Sequence, residues 1–381
     1  MSEPAPGARW VLSIDLGSTD MSVAAFPAGG PAVVVRVDDE DYAPSTVAVD
    51  EHRSIVVGRA AERLVDAHPG SGVRAFRERI TRGVPIVIDG HGYAVGDLTA
   101  ALIGHALADA RRTMGGPPER VVLAHPASWS QIMLNELATA ANRAGIERPE
   151  FVAEPVAAAL SVWPPGTDAP GSHIGVIDFG ARSCDVTILR AAGQGFTILG
   201  RPATNPTIGG DLLDEVVVGM IGEFLDPDLW DELQLLADPE TNHLRNRIRV
   251  SAREARESLS TETTARIEID LHGAPATVSI SRRTLENRVA AVVADVVRAL
   301  ADGAADAGLT PADLSAIVLA GGVGAMPLLR RMVGEAFSWA SVHVPDHGAH
   351  SVAFGAGTAP RAVTRTIDDQ AESVPPTSGV A

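Results

Sequence analysis

Two stretches of this chain repeat one short pattern: an apolar strand ending in Asp, an apolar residue and Gly, followed at once by a second strand. The first is IDLGSTDMSVAAF (14–26) and the second is IDFGARSCDVTIL (177–189). An Asp-x-Gly turn at a strand end puts a carboxylate beside exposed backbone N–H groups, and the glycine lets a phosphate approach that backbone closely. One such turn is ordinary hairpin grammar. Two copies with flanking elements in like order argue for a duplicated unit, and so for two lobes with a cleft between them. Opposed across a cleft, such loops can grip a polyphosphate from both sides while Asp15 and Asp178 hold Mg²⁺ through its retained waters.

The rest of the chain supports two cores, and 381 residues suffice for them. A β-rich stretch follows the first hairpin to about Val95, with apolar runs at 33–37, 46–49, 55–57 and 85–88. Helical periodicity runs from Leu98 to Thr113, a buried strand over 120–124, and helices over 130–144, with Gly145 as C-cap, and 156–162. The Pro164–Gly171 segment reads as a linker. The expected division is a first lobe over 9–165, with 345–365 packing back on it and an inserted subdomain near 33–97. The second lobe covers 172–344, with an insert near 211–282. Residues 366–381 are polar and proline-bearing and read as a disordered tail.

Composition narrows the chemistry. Hydrophobic residues make up 45% and charged residues 21%, as in ordinary globular domains. A net charge of −17 opposes nucleic-acid and anionic-membrane partners and makes a metal counter-ion necessary for any bound nucleotide. All 31 basic residues are arginine, which excludes a lysine-based P-loop and Schiff-base chemistry. Cys184, alone, can form no internal disulfide and reads as a small buried residue, and the histidines show no convincing metal-ligand spacing. No secretory leader or membrane span is visible, so the expected setting is cytoplasmic and soluble.

Five blocks in order, 14–26, EPVAAAL (154–160), 177–189, IGGDLLDEVV (208–217) and VLAGGVGAMPLL (318–329), resemble the nucleotide-binding domain of the seventy-kilodalton heat-shock chaperones. The resemblance covers about residues 10 to 360. It implies an α/β fold of the actin-like ATPase kind, two lobes each with a ribonuclease-H-like core and an inserted subdomain, binding ATP or ADP with Mg²⁺ at the cleft base. Gly17, Ser18 and Thr19 then match the first phosphate loop, Gly180 and Ser183 part of the second, and Gly321 and Gly322 the pair beside the adenosine. Asp15, Asp178 and Asp185 match metal-organising and water-positioning carboxylates, with Glu154 helping to organise the metal waters. The metal set is Asp15, Glu154 and Asp178, acting through water. Gly209 and Gly210 fall in a matching block, and Arg256 and Ser260 in the adenosine pocket.

Several positions depart from that pattern. Arg77 stands where the family has a lysine reaching the attacking water, and a planar guanidinium does not replace a compact ammonium; the alternative is an arginine on a solvated helix face. Where three glycines are usual, the second loop reads Gly180, Ala181, Arg182, and Arg182 either blocks the phosphate or contacts it. Val323 and Ala325 replace a serine and the base-stacking arginine, Arg253 a glutamate, and about Ala349 a late aspartate. Pro126 is kept, but Leu134 replaces its partner arginine. No peptide-binding half is expected. The reading is a stand-alone chaperone-like ATP-binding module with slow or absent hydrolysis, signalling to an unidentified protein partner. A pseudo-ATPase scaffold, an actin-type filament protein and a small-acceptor kinase are the alternatives.

Overall fold

The computed structural model describes residues 9–80, 83–167, 171, 173–236, 238–271 and 274–364. The tail expected at 366–381 lies outside them.

The first hairpin forms as the pattern predicts, from β1 (Trp10–Leu16) and β2 (Asp20–Pro27), with Asp15 opposite Ser22. Trp10, Leu12, Ile14, Leu16, Met21 and Val23 are buried on one face of the pair and Ser13, Ser22 and Ala24 on the other, so the strands are covered on both faces. Next come short strands and one helix: β3 (Val33–Val34), β4 (Ala43–Pro44), β5 (Val47–Val49), β6 (Ile55–Val57), α1 (Gly58–Ala67), β7 (Gly72–Val73), β8 (Ile86–Ile88) and β9 (His91–Tyr93). Helix α1 is an element that the β-rich reading of this stretch did not name. Ala61, Leu64 and Val65 pack on Ala48 and Val56 while Arg59, Arg63 and Asp66 stay exposed, an amphipathic helical period that a reading by apolar runs passes over because only these few residues are apolar. Helix α2 (Val95–Met114) ends on Gly115 in the left-handed conformation, φ 73°. Strand β10 (Arg120–His125), helix α3 (Gln131–Arg143) and strand β11 (Glu150–Ala153) complete the lobe. The sheet order is β11-β10-β1-β2-β3, with β4 also on β2.

After α4 (Glu154–Val162) the grammar repeats, with β12 (His173–Phe179), β13 (Cys184–Ala192) and β14 (Gly195–Asn205). An insert follows: α5 (Gly210–Gly222), α6 (Pro227–Leu235), α7 (Pro239–Ser258), β15 (Thr264–Leu271) and β16 (Ala274–Ser281). The chain returns through α8 (Arg282–Asp306), β17 (Ala316–Ala320), α9 (Pro327–Ala336), β18 (Ser341–His343) and α10 (Ser351–Thr358). The second sheet has the order β18-β17-β12-β13-β14. In both sheets two parallel strands precede the Asp-bearing strand, whose partner is antiparallel. Asp178 lies opposite Asp185, as Asp15 lies opposite Ser22. Matching topology, beyond matching hairpins, is what a duplication requires. No helix among the described residues is long and apolar enough to cross a membrane.

One apolar cluster joins the halves. It takes Val122, Ala124 and Val152 from one sheet and Ile174, Val176 and Val318 from the other, with α4 and α10 supplying Ala157, Leu160, Val352 and Ala356. The two helices meet at backbone distance, because a Cβ on Gly355 would stand 1.7 Å from the Ala157 carbonyl oxygen. Replacing Gly355 by Ala is expected to cost about 1–3 kcal/mol by forcing the helices apart. A denaturation midpoint unchanged from wild type would contradict this close crossing.

Candidate functional site

The two Asp-bearing strand ends open into one cavity of about 360 Å³. Asp15, Gly17, Ser18 and Thr19 line it from the first hairpin, and Asp178, Gly180, Ser183 and Asp185 from the second. Arg77, Glu154, Gly210, Arg256, Gly321 and Gly322 line it as well. Two expected residues are not on this wall. Gly209 sits behind it as the N-cap of α5, where a Cβ would meet the Ala181 carbonyl oxygen at 2.4 Å. Ser260 borders a separate small cavity with Leu259 and Arg282.

Local geometry explains Gly321 and Gly322. Gly321 has φ +79°, and a Cβ there would lie 2.4 Å from the Phe179 carbonyl oxygen and 2.6 Å from Asp178 Oδ1. Glycine is therefore required by both conformation and closeness to the acid. A Cβ on Gly322 meets nothing within 4 Å, so bare backbone faces the cavity.

Arg77 is pinned rather than solvated. Nη1 donates to the Leu16 carbonyl at 2.7 Å and to Glu154 Oε1 at 2.7 Å, Nη2 lies 3.5 Å from Ser18 Oγ, and the guanidinium carbon stands 5.9 Å from the Trp129 ring centre. Its Nε is buried without a partner. Ser18 Oγ donates to Glu78 Oε1 at 2.6 Å, an acid that the motif comparison did not single out.

Four carboxylates, Asp15, Glu154, Asp178 and Asp185, crowd one part of the cavity. Burial pushes Asp15 up to about 6 against the pull of Arg77. Asp178 is pushed up to about 7 by burial, with Asp185 and Asp15 adding repulsion. Burial also holds Glu154 well above the usual carboxylate range, opposed by Arg77 and reinforced by Asp15, Asp178 and Asp185. Asp185 accepts hydrogen bonds from Ser183 at 2.9 Å and from Thr204. Four acids beside the single guanidinium of Arg77 leave a surplus of negative charge, and such hard oxygen donors suit a divalent ion such as Mg²⁺. Asp15 and Asp178 could hold one through water. Glu154 is already engaged by Arg77.

Elsewhere the lining differs. Arg256 is buried against Asp214, and Arg253 donates to Asp20 Oδ2 at 2.6 Å and to Glu257 at 3.0 Å, bridging the two lobes. Val323, Ala325 and Ala349 add apolar wall. Tyr42, on the first-lobe side, stacks on His350 with ring centres 4.0 Å apart. Asp20, Tyr42, Asp211 and Asp214 were not evident from the motifs. Asp20 lies in the quoted 14–26 block and Asp211 and Asp214 in the 208–217 block, but their pairings with Arg253, Arg182 and Arg256 cannot be read there.

Matched α/β lobes with a carboxylate-rich cleft between two glycine-bearing loops define an actin-like ATPase fold. Within that class the model of the Hsp70 protein family matches residues 79–366, and the chain belongs to this family. It is 27% identical over 338 residues to the chaperone protein DnaK of Elusimicrobium minutum, covering 85% of this chain and 53% of that protein. It is 26% identical over 339 residues to the chaperone protein DnaK of Thermotoga petrophila, covering 86% and 55%. The chain thus spans about half the length of the curated relatives it matches.

Proposed function

We propose that this chain is a chaperone-type ATP-binding module, holding Mg²⁺-ATP or ADP between its lobes, hydrolysing slowly or not at all, and signalling through lobe closure to a protein partner. The observation that carries the reading is the convergence of Asp15, Glu154, Asp178 and Asp185 with both glycine-bearing loops on one cavity. The lobes we assign are 9–165 with 345–365, and 172–344. When bound, Mg²⁺ would supply charge neutralisation of the phosphates. The chain's own residues would do the rest. Asp15 and Asp178 would orient the metal's waters, Gly322 would offer bare backbone, and Asp185, held by Ser183, would position a water.

Slow turnover follows from Arg77. Its fork is committed to Leu16 O and Glu154, which leaves no mobile ammonium for the attacking water. Calorimetric Mg²⁺-ATP binding and phosphate release on wild type, Asp178→Asn and Arg77→Lys test the reading. Binding by wild type, its loss in Asp178→Asn, and a rise in phosphate release in Arg77→Lys are expected. Absence of any binding or thermal shift at millimolar Mg²⁺-ATP and ADP would sink it.

A pseudo-ATPase scaffold is the second reading. It is favoured by Glu78 on the first loop and by Arg253 and Arg256, both already neutralised by acids. It requires that Asp15→Asn leave function unchanged.

A further inference from the structure

We propose that Arg182 senses the terminal phosphate, so that the site prefers a nucleoside triphosphate to a diphosphate; this rests on the nucleotide-binding reading above. Four arginines line the cavity: Arg77, Arg182, Arg253 and Arg256. Three are already spent. Arg77 bonds Leu16 O and Glu154, Arg253 bonds Asp20 and Glu257, and Arg256 is buried on Asp214. Arg182 has a looser tether. Its Nη1 lies 3.6 Å from Asp211 Oδ2, beyond hydrogen-bonding reach, and both side chains are 52% exposed. Exposed ion pairs of this length hold weakly, whereas a guanidinium on a phosphate makes short, charge-assisted bonds. Among the described residues lining the cavity, Arg182 is the cation best able to exchange its partner for a ligand.

The loop beneath it is built to keep that side chain in place. Gly210 N donates to Gly180 O at 3.0 Å and Asp211 N to Ala181 O at 2.8 Å, fastening the loop to the first turn of α5. Gly209 permits the contact, since a Cβ there would be 2.6 Å from the Arg182 carbonyl carbon. The acid that tethers the guanidinium therefore belongs to the same brace that fixes its backbone. Neither Ala181 nor Arg182 has a positive φ, so side chains stand at these two positions without backbone strain. Arg182 stands between Gly180 and Ser183, whose Oγ donates to Asp185 Oδ2 at 2.9 Å, so it belongs to the second glycine-bearing loop, and its weakly held guanidinium is offered to the phosphates of a ligand gripped by that loop.

The test is calorimetric binding of Mg²⁺-ATP and Mg²⁺-ADP to the full chain as wild type, Arg182→Ala and Asp211→Asn, with unliganded melting curves to show that each folds. Arg182→Ala is expected to weaken Mg²⁺-ATP binding about 10- to 100-fold while Mg²⁺-ADP binding stays within about 2-fold. Asp211→Asn, which frees the guanidinium, is expected to tighten Mg²⁺-ATP binding by about 2- to 5-fold. An unchanged ATP-to-ADP ratio in Arg182→Ala, or tighter ATP binding from removal of an obstruction, overturns the sensor and leaves the nucleotide-binding reading standing. Failure of all three proteins to bind either nucleotide overturns both.

Discussion

Asp178→Asn is expected to stabilise the ligand-free protein at pH 8 and to abolish its response to Mg²⁺-ATP. The Asp178 carboxyl is held up to about 7, against an ordinary 3.8, by burial and by the charges of Asp185 and Asp15. Between those values the folded protein keeps a proton that the unfolded chain has released. The stabilisation from that proton is complete below 3.8 and is lost as pH rises through about 7. At pH 8 the wild type carries the full cost of a crowded, enclosed carboxylate, on the order of 2–4 kcal/mol. Asparagine keeps the shape and removes the charge. Urea unfolding in EDTA should show a gain near that size at pH 8 and a smaller one at pH 5. An equal gain at both pH values would contradict the crowding argument. Retention of the Mg²⁺-ATP thermal shift would contradict the metal role. Stability given up at a functional site is the usual reason such a substitution helps the fold and harms the activity.

Arg77→Ala is expected to have the opposite sign and similar size. It strands the Glu154 carboxylate, which is buried and paired at 2.7 Å, and breaking one partner of such a pair costs about 3–5 kcal/mol. Without Arg77 the pull that now opposes the burial of Glu154 is gone, so its folded value climbs further above the ordinary 4.5. A group raised in this way stabilises below its unfolded value and loses that contribution as pH rises. The deficit relative to wild type should therefore be largest near pH 8 and shrink on acidification. Adding Glu154→Gln should recover most of the loss. Denaturant midpoints of the two single variants and the double variant measure this directly, and additive losses would show that the pair is not coupled.

These two residues mark how far the sequence can be read. Asp178 was legible because the run of strand, acid, apolar residue and glycine occurs twice with like flanking elements, whereas one such turn alone is ordinary hairpin grammar. Arg77 was visible only as a residue in a lysine's place, with a solvated helix face as the alternative. The fork onto Leu16 O and Glu154 joins positions far apart in the chain, and no local pattern encodes such a contact. Helix α1 went unread because its ten residues carry few apolar side chains, although their spacing is amphipathic and packs Ala61 and Val65 against Ala48 of β5. Ser260 was placed in the adenosine pocket by resemblance and lines a neighbouring small cavity together with Arg256 and Val323. The pairings of Arg253 with Asp20 and of Arg256 with Asp214 had no sequence signal at all.

By itself, the amino-acid order determined the duplicated hairpins and the acids at the strand ends, because these depend on alternation, turn chemistry and short spacings that act locally, while the α/β class was implied by the resemblance of the five ordered blocks. The tertiary structure alone decided which charges are free. Three of the four cavity arginines are neutralised by acids brought from other elements, and Arg182 is left with a 3.6 Å tether. Charge pairing falls off within a few ångströms, so it is settled by where the folded chain places each side chain, which residue type alone does not specify.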